Sequence, residues 1–257
     1  MPQDRAAQHP PHAAPSGRAR AALLVFTLDD AGERSRRRLL PERLGSWEVS
    51  LYRSCLDGAL AAGRANGCSL RVCAPRQLSL GADVEQFAQV GRGFGGRLRH
   101  AIASQKPSAG RPLVVVGSDA PGLEPGHVAD ALGRLAEHPD RLVVGPSPDG
   151  GFYLLAAARP VDELLAMVRW LRGDTLASLL AAARSRGIPV SLLPPVADID
   201  RAADLDRWLA RGAVASSTWF RALVSLLRRL RRPSLPLVLG RPRTGCAALL
   251  SARGPPG

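Results

Sequence analysis

Two aspartates, Asp119 and Asp149, stand just beyond apolar runs of the sequence. Residues 113–116 form a continuous apolar run that ends three residues before Asp119, and residues 142–144 form another that ends five residues before Asp149. Runs that are apolar at every position are typical of strands buried between two layers of helices. Open sheets of this kind bind ligands beyond the carboxyl ends of their strands. The spacing therefore predicts that both carboxylates lie at a ligand-binding edge.

A third acidic position, Asp200, follows the last predicted strand, residues 188–193. Carboxylates about 4 Å apart near a protein surface repel by roughly 4 kcal/mol per pair unless a cation lies between them. Mg²⁺ and Mn²⁺ prefer oxygen ligands, and Mg²⁺ typically takes one or two carboxylates together with substrate phosphates and water. One interpretation is therefore a site for a divalent metal and a nucleotide. The alternative is that Asp119, Asp149 and Asp200 each cap a helix or close a turn.

Arginines and glycines supply candidate phosphate-binding groups. Arg36 and Arg38 lie in a polar loop that leaves the first predicted strand, residues 21–26, at the ligand edge of a parallel sheet. Their forked guanidinium groups would bind a diphosphate, and the alternative is a solvated basic loop. The glycine-rich run at residues 91–96 lacks the spacing of a P-loop. We interpret it as a flexible turn before a helix that carries Arg97 toward a ligand.

The elements that must position these residues alternate along the chain. Short apolar runs predict strands, and apolar residues at helical spacing predict helices. The predicted strands are residues 21–26, 68–74, 113–116, 142–144 and 188–193, and the predicted helices are residues 47–65, 97–104, 161–168, 174–186 and 202–210. Residues 75–90 carry only a weak pattern. This alternation predicts an α/β fold, a three-layer sandwich with a mostly parallel sheet.

Composition and charge narrow the class of protein. With 257 residues, 46% of them hydrophobic, the chain is long enough for one sizeable core. The formal net charge of +13 divides into +2 over residues 1–20, +3 over residues 21–212 and +8 over residues 213–257. Because the central part is nearly balanced, a phosphate-tracking surface is not expected, and we predict no nucleic-acid partner.

The two ends differ from the central domain, which we place at residues 21–212. Residues 1–20 lack periodicity and are rich in Pro, Ala, Arg and His, which predicts a disordered leader. Residues 213–257 begin with a basic amphipathic helix that would touch a membrane surface peripherally, dock on the core or remain poorly ordered. The four cysteines lack zinc-like spacing, and the sequence shows neither a spanning apolar run nor a signal-peptide pattern. We therefore predict a cytoplasmic protein.

Three motifs occur in the order found in a known family. They are Gly117-Ser118-Asp119-Ala120-Pro121-Gly122-Leu123, then Gly145-Pro146-Ser147-Pro148-Asp149-Gly150-Gly151-Phe152-Tyr153-Leu154-Leu155, and then Asp198-Ile199-Asp200 with Asp204-Leu205. These motifs resemble those of GT-A-fold transferases described as arsenosugar-biosynthesis-type glycosyltransferases, or radical-SAM/selenodomain-associated transferases. Weaker similarity upstream extends the resemblance to about residues 21–209. The loop after the first strand departs from the family, with Leu28 in place of its usual lysine.

The resemblance implies a metal-dependent glycosyltransferase of the GT-A fold, with a nucleotide-activated sugar as donor and a small molecule as acceptor. Its catalytic residues would be Asp119, which with Asp200 binds Mg²⁺ or Mn²⁺, and Asp149, the general base toward the acceptor in an inverting transfer. The implied substrate-binding residues are Arg36, Arg38, Arg97, Gly117, Ser118, Pro121, Gly150, Gly151, Tyr153 and Thr175. The alternatives are a guanylyltransferase-like nucleotidyltransferase that releases pyrophosphate and a non-catalytic nucleotide-binding relative.

Overall fold

A computed structural model describes residues 20–32 and 45–199, together with Asp204, Arg207, Trp208 and Ser225. Within the predicted helix at residues 202–210, the three described positions are helical. The other predictions that lie outside the described residues concern the leader up to residue 19, Arg36, Arg38, Asp200 and, apart from Ser225, the basic amphipathic helix. They stay predictions.

Strands and helices are interspersed in the described part of the chain, where the predicted alternation is broken by two pairs of consecutive strands and one pair of consecutive helices. The strands are β1 (Ala22–Phe26), β2 (Ser69–Ala74), β3 (Val84–Ala88), β4 (Leu113–Val116), β5 (Leu142–Pro146), β6 (Phe152–Ala157) and β7 (Val190–Leu192). The helices are α1 (Gly45–Ala65), α2 (Gly93–Ser104), α3 (Pro125–Glu137), α4 (Asp162–Ala166) and α5 (Thr175–Ser185). Each strand predicted from an apolar run is present, and two further strands, β3 and β6, are added.

The seven strands form one sheet in the order β3-β2-β1-β4-β6-β5-β7. All neighbouring pairs are parallel except those of β6, which is antiparallel to both β4 and β5. The mostly parallel sheet is therefore confirmed. The short connection at residues 147–151 returns the chain antiparallel to β5, as short loops between adjacent strands do. The amino end of β6 consequently lies at the same edge of the sheet as the carboxyl ends of its neighbours.

Helices cover both faces of the sheet, so the three-layer sandwich is also confirmed. On one face α1 and α3 pack on residues that include Leu23, Val25 and Val114. On the other face α2, α4 and α5 pack on residues that include Leu24 and Val115. The β1 residues from Ala22 to Val25 point alternately to opposite faces and are buried on both, which is why the sequence shows an unbroken apolar run there. Among the described helices, none is long and apolar enough to cross a membrane.

The glycine-rich run at residues 91–96 differs from its prediction. The predicted flexible turn is wrong for the last four residues of the run, because α2 already begins at Gly93. Packing explains a glycine that helical propensity disfavours. A Cβ atom built on Gly95 would lie 2.2 Å from Cδ1 of Trp170, so the indole ring packs directly on the first turn of the helix.

Candidate functional site

A cavity of about 660 Å³ opens at the edge of the sheet where β1, β3 and β4 end and β6 begins. Its lining comes from turns and element ends that are far apart in sequence. From the predicted site it includes Arg97, Gly117, Ser118, Asp119, Asp149, Gly151, Tyr153 and Thr175. Within the described part of the chain, Pro121 and Gly150 lie beside this lining without being part of it. One sheet edge thus brings together most of the predicted residues that the structure describes.

The turn after β4 carries Asp119 into the cavity. Ser118 is buried, and its hydroxyl hydrogen-bonds with that of Thr27, which follows β1. The carbonyl oxygen of Asp119 accepts a hydrogen bond of 2.9 Å from the amide of Ile199. A Cβ atom on Gly117 would lie 2.4 Å from Oδ1 of Asp119, so the carboxylate lies against the glycine backbone. The turn is therefore fixed to its neighbours on two sides.

Asp198 lines the same cavity, next to the residue that hydrogen-bonds to Asp119. Two buried tyrosines hold this segment after β7: Tyr153 donates to the carbonyl of Pro194 at 3.1 Å, and Tyr52 donates to the carbonyl of Ile199 at 3.5 Å. Burial raises the pKa of Tyr153 to about 12, so its hydroxyl stays a proton donor at neutral pH. The interpretation of the sequence passed over Asp198, because spacing alone does not tell which aspartate of an Asp-x-Asp pair reaches a sheet edge.

The carboxylates at the cavity suit a divalent cation. Asp119 and Asp198 supply the hard oxygen ligands that Mg²⁺ and Mn²⁺ prefer. Among the residues that the structure describes, no group of three or more His, Cys, Asp and Glu side chains forms a complete metal site. Mg²⁺ usually combines one or two carboxylates with phosphate oxygens and water. The donor set at this edge fits that mode of binding.

Asp149 lies in a tight turn between β5 and β6. Its exposed side chain accepts a hydrogen bond of 2.9 Å from the amide of Gly151 at Oδ1. Two backbone hydrogen bonds of 3.1 Å, from Gly150 to Ser147 and from Ser147 to Gly151, close the turn. The amide of Leu176 donates to the carbonyl of Gly150 at 2.8 Å, which ties the turn to the start of α5. The position of Asp149 thus depends on α5.

Gly150 has a left-handed φ of +89°, and a Cβ atom there would lie 1.8 Å from the carbonyl oxygen of Gly173. We expect Gly150→Ala to lower the free energy of unfolding by roughly 1–3 kcal/mol and to displace the turn that carries Asp149. Gly133→Ala in α3 is the matched control, because nothing lies within 4 Å of its new methyl group. Removing a helical glycine should raise stability by about 0.5–1 kcal/mol. Urea denaturation measures the free energy of unfolding of both variants. Equal values for Gly150→Ala and Gly133→Ala would contradict the role of Gly150 in holding the turn.

Thr175 is buried at the start of α5 and organises the loop before that helix. Its Oγ1 lies 2.7 Å from the carbonyl oxygen of Arg172 and 3.0 Å from that of Arg169, and it accepts a hydrogen bond from the amide of Arg172 at 3.2 Å. Its contacts are thus with the backbone of the loop, while the residue also lines the cavity. Its predicted role in substrate binding stays a prediction.

Two polar groups at the cavity are buried without a partner in the described part of the chain: Nε of Arg97 and Oε1 of Gln89. The amide nitrogen of Gln89 donates to the carbonyl of Thr27 at 2.8 Å, which fixes the side chain beneath β1. Burial raises the pKa of the neighbouring Cys73 thiol to about 12, against the opposing effect of the Arg97 charge. Buried polar groups normally find a hydrogen-bonding partner. Both atoms are closed to solvent, so neither is exposed to a ligand in the cavity.

Comparison with protein families gives one match, over residues 53–172, to a family described as DUF2064, an uncharacterized protein conserved in bacteria. The matched residues include Asp119 and Asp149 and end before Asp198. Comparison with functionally curated proteins gives no match.

Comparison with solved structures gives matches of low sequence identity. A Desulfovibrio desulfuricans G20 protein, provisionally described as a nucleotide-diphospho-sugar transferase, has a TM-score of 0.68 at 22% identity, over 82% of this chain and 95% of the other. A Bacillus anthracis protein in complex with sucrose, provisionally described as a glucose-1-phosphate thymidylyltransferase, has a TM-score of 0.50 at 9% identity, over 77% and 98%. A Mycobacterium tuberculosis H37Rv protein in complex with manganese has a TM-score of 0.46 at 20% identity, over 74% of this chain and 97% of the other. The chain therefore shares the α/β fold of proteins described as nucleotide-diphospho-sugar transferases.

Proposed function

We propose that this protein is a metal-dependent glycosyltransferase, which transfers a sugar from a nucleotide-activated donor to a small-molecule acceptor. The observation that supports the proposal is the convergence of Asp119, Asp198 and Asp149 on one cavity at the ligand edge of the sheet. A cavity of about 660 Å³ is within the usual size of small-molecule sites. The resemblance of its motifs to arsenosugar-biosynthesis-type glycosyltransferases supports the narrower family, which is likewise our proposal.

The donor's diphosphate is proposed to lie between the aspartates and the basic side chains. Asp119 and Asp200 are the proposed metal ligands, and the placement of Asp198 adds it as a further candidate. A divalent cation held there would neutralise charge on the diphosphate. Arg97 lines the cavity, and its guanidinium group is suited to donate to a phosphate oxygen. Arg36 and Arg38 are proposed to act in the same way from the loop after β1.

Asp149 is the proposed general base. In this step the acceptor hydroxyl gives its proton to the Asp149 carboxylate, and the acceptor oxygen forms a bond to the anomeric carbon of the sugar. The bond between that carbon and the diphosphate oxygen breaks, and its electron pair leaves with the nucleoside diphosphate. The hydrogen bond from Gly151 to Oδ1 fixes the carboxylate, which supports this assignment.

Product analysis tests the proposed reaction. The full chain is incubated with Mn²⁺ and either nucleotide sugars or nucleoside triphosphates with sugar phosphates, and the released products are identified. We expect nucleoside diphosphate from a nucleotide sugar, with a rate that depends on the acceptor. Release of pyrophosphate from a triphosphate would overturn sugar transfer and identify a nucleotidyltransferase, which the likeness to the Bacillus anthracis protein makes the second candidate.

Nucleotide-dependent stabilisation tests nucleotide binding, which both enzymes and a non-catalytic nucleotide-binding relative would share. A chain that binds nucleotide but releases no product in the preceding assay would be that relative. A ligand at 100 times its dissociation constant should stabilise the folded chain by about 2.7 kcal/mol. We expect such a shift with at least one nucleotide or nucleotide sugar when Mn²⁺ is present. A chain that shows no shift with any of them would contradict a nucleotide-dependent enzyme.

A further inference from the structure

Four aromatic side chains form one side of the cavity, and we refer to Phe26, Phe94, Phe152 and Trp170 as the aromatic wall. The Phe94 ring lies 5.6 Å from that of Phe26 and 5.6 Å from that of Trp170, and the Phe152 ring lies 5.9 Å from that of Trp170. All four side chains are half-buried. The sequence contains five phenylalanines, and three of them are in this wall. Four of the chain's 11 Phe, Trp and Tyr residues are thus grouped at one site.

The indole ring of Trp170 is fixed in position. Its Nε1 donates to the carbonyl of Leu165 at 3.2 Å, and the ring packs on Gly95 of α2. Because this hydrogen bond satisfies the only polar atom of the wall's side chains, the surface that faces the cavity is apolar.

Leu171 extends this apolar surface toward solvent. It lines the cavity, the residue is 62% exposed, and its backbone has a left-handed φ of +58°. This conformation costs a leucine about 1–2 kcal/mol. The contacts of Thr175 with the carbonyls of Arg169 and Arg172 hold the loop in place on both sides of Leu171. Such strain is found at ligand-binding sites, where the surrounding structure maintains it.

The aromatic wall and the proposed metal ligands are associated with opposite faces of the sheet. All four rings pack against the core under α2, α4 and α5. Ala120, Leu123 and Val196, which flank Asp119 and Asp198 in sequence, pack in the core under α1 and α3. The turn of Asp149 is hydrogen-bonded to α5 and thus belongs to the side of the aromatic wall. The proposed general base and the apolar surface are therefore on the same side of the cavity.

We infer that the aromatic wall and Leu171 form the acceptor subsite, and that the acceptor carries a planar aromatic ring next to its reacting hydroxyl. Half-buried aromatic faces gain most from covering by another ring, which adds stacking to the loss of exposed apolar area. The assignment of this surface to the acceptor rests on the proposed function. The binding of an aromatic ring at this surface is independent of the proposed function, and it is tested without donor or metal.

The test compares two hydroxylic probes, 2-phenylethanol and methyl β-D-glucopyranoside, by ligand-observed NMR titration of the full chain. We expect 2-phenylethanol to bind more tightly. Leu171→Asn should weaken that binding about tenfold, because the apolar leucine side chain no longer covers part of the bound ring. Asparagine tolerates a left-handed conformation, so this variant should fold at least as stably as the original chain. Leu192→Asn is the matched control, since Leu192 is 48% exposed on β7 and lies outside the cavity lining.

Phe94→Leu provides a second variant, which keeps an apolar side chain and removes one ring face. It should also weaken 2-phenylethanol binding, whereas Leu192→Asn should leave it unchanged. Equal or tighter binding of the glucoside, or an unchanged affinity of Leu171→Asn for 2-phenylethanol, would overturn the inference. Displacement of 2-phenylethanol by a saturating nucleotide would also overturn it, because the wall would then be the site of the base. Failure of the proposed function appears separately, as 2-phenylethanol binding without nucleotide binding or transfer.

Discussion

Replacing Asp119 with asparagine should abolish metal-dependent nucleotide binding while leaving the fold intact. Asparagine has nearly the same shape as aspartate, so its side chain fits against Gly117. The backbone carbonyl of residue 119 still accepts the hydrogen bond from the amide of Ile199. The change removes the negative charge that Asp119 would offer to Mg²⁺ or Mn²⁺ at the proposed metal site. In thermal unfolding with Mn²⁺ and a nucleotide at 100 times its dissociation constant, the original chain should gain about 2.7 kcal/mol and the variant nothing.

Asp140→Asn is the matched control for this charge removal. Asp140 is exposed in the turn before β5, at the opposite end of the strand from the cavity. It should keep the full nucleotide-dependent stabilisation, and circular dichroism should show the same helix content in both variants. Nucleotide affinity that stays the same in Asp119→Asn would remove Asp119 from the site.

Asp149→Asn should have the second large effect, on transfer instead of binding. The asparagine oxygen still accepts the hydrogen bond from Gly151, so the turn should keep its conformation. An amide cannot take the proton of the acceptor hydroxyl, and loss of a general base typically costs about 10²–10⁴-fold in rate. We therefore expect kcat for transfer to fall by about that factor, measured with saturating donor and acceptor.

Binding measurements distinguish the two aspartates from each other. The Asp149→Asn variant should show the same stabilisation by nucleotide and Mn²⁺ as the original chain, because the turn of Asp149 lies on the side of α5. Transfer at the original rate would show that another group takes the proton. A loss of nucleotide binding equal to that of Asp119→Asn would instead place Asp149 with the metal ligands.

The sequence by itself determined the fold class and the edge of the sheet at which the candidate site lies. Residues 113–116 and 142–144 are apolar at every position, and both form interior strands with Asp119 and Asp149 just beyond the same sheet edge. These features follow from local patterns, since a strand buried on both faces must be apolar at successive positions. The edge strand β3 was missed because its residues are mostly exposed or half-buried, which leaves a weak apolar pattern.

Only the tertiary structure decided how distant residues meet. The apolar residues of β6 do not specify that it runs antiparallel between β4 and β5, because an apolar run has the same periodicity in either direction. Asp198 lies at the cavity because its neighbour Ile199 hydrogen-bonds to Asp119, 80 positions earlier in the chain. The aromatic wall combines residues from a strand end, a helix start, another strand and a loop. Such contacts depend on how the elements pack, which local periodicity does not encode.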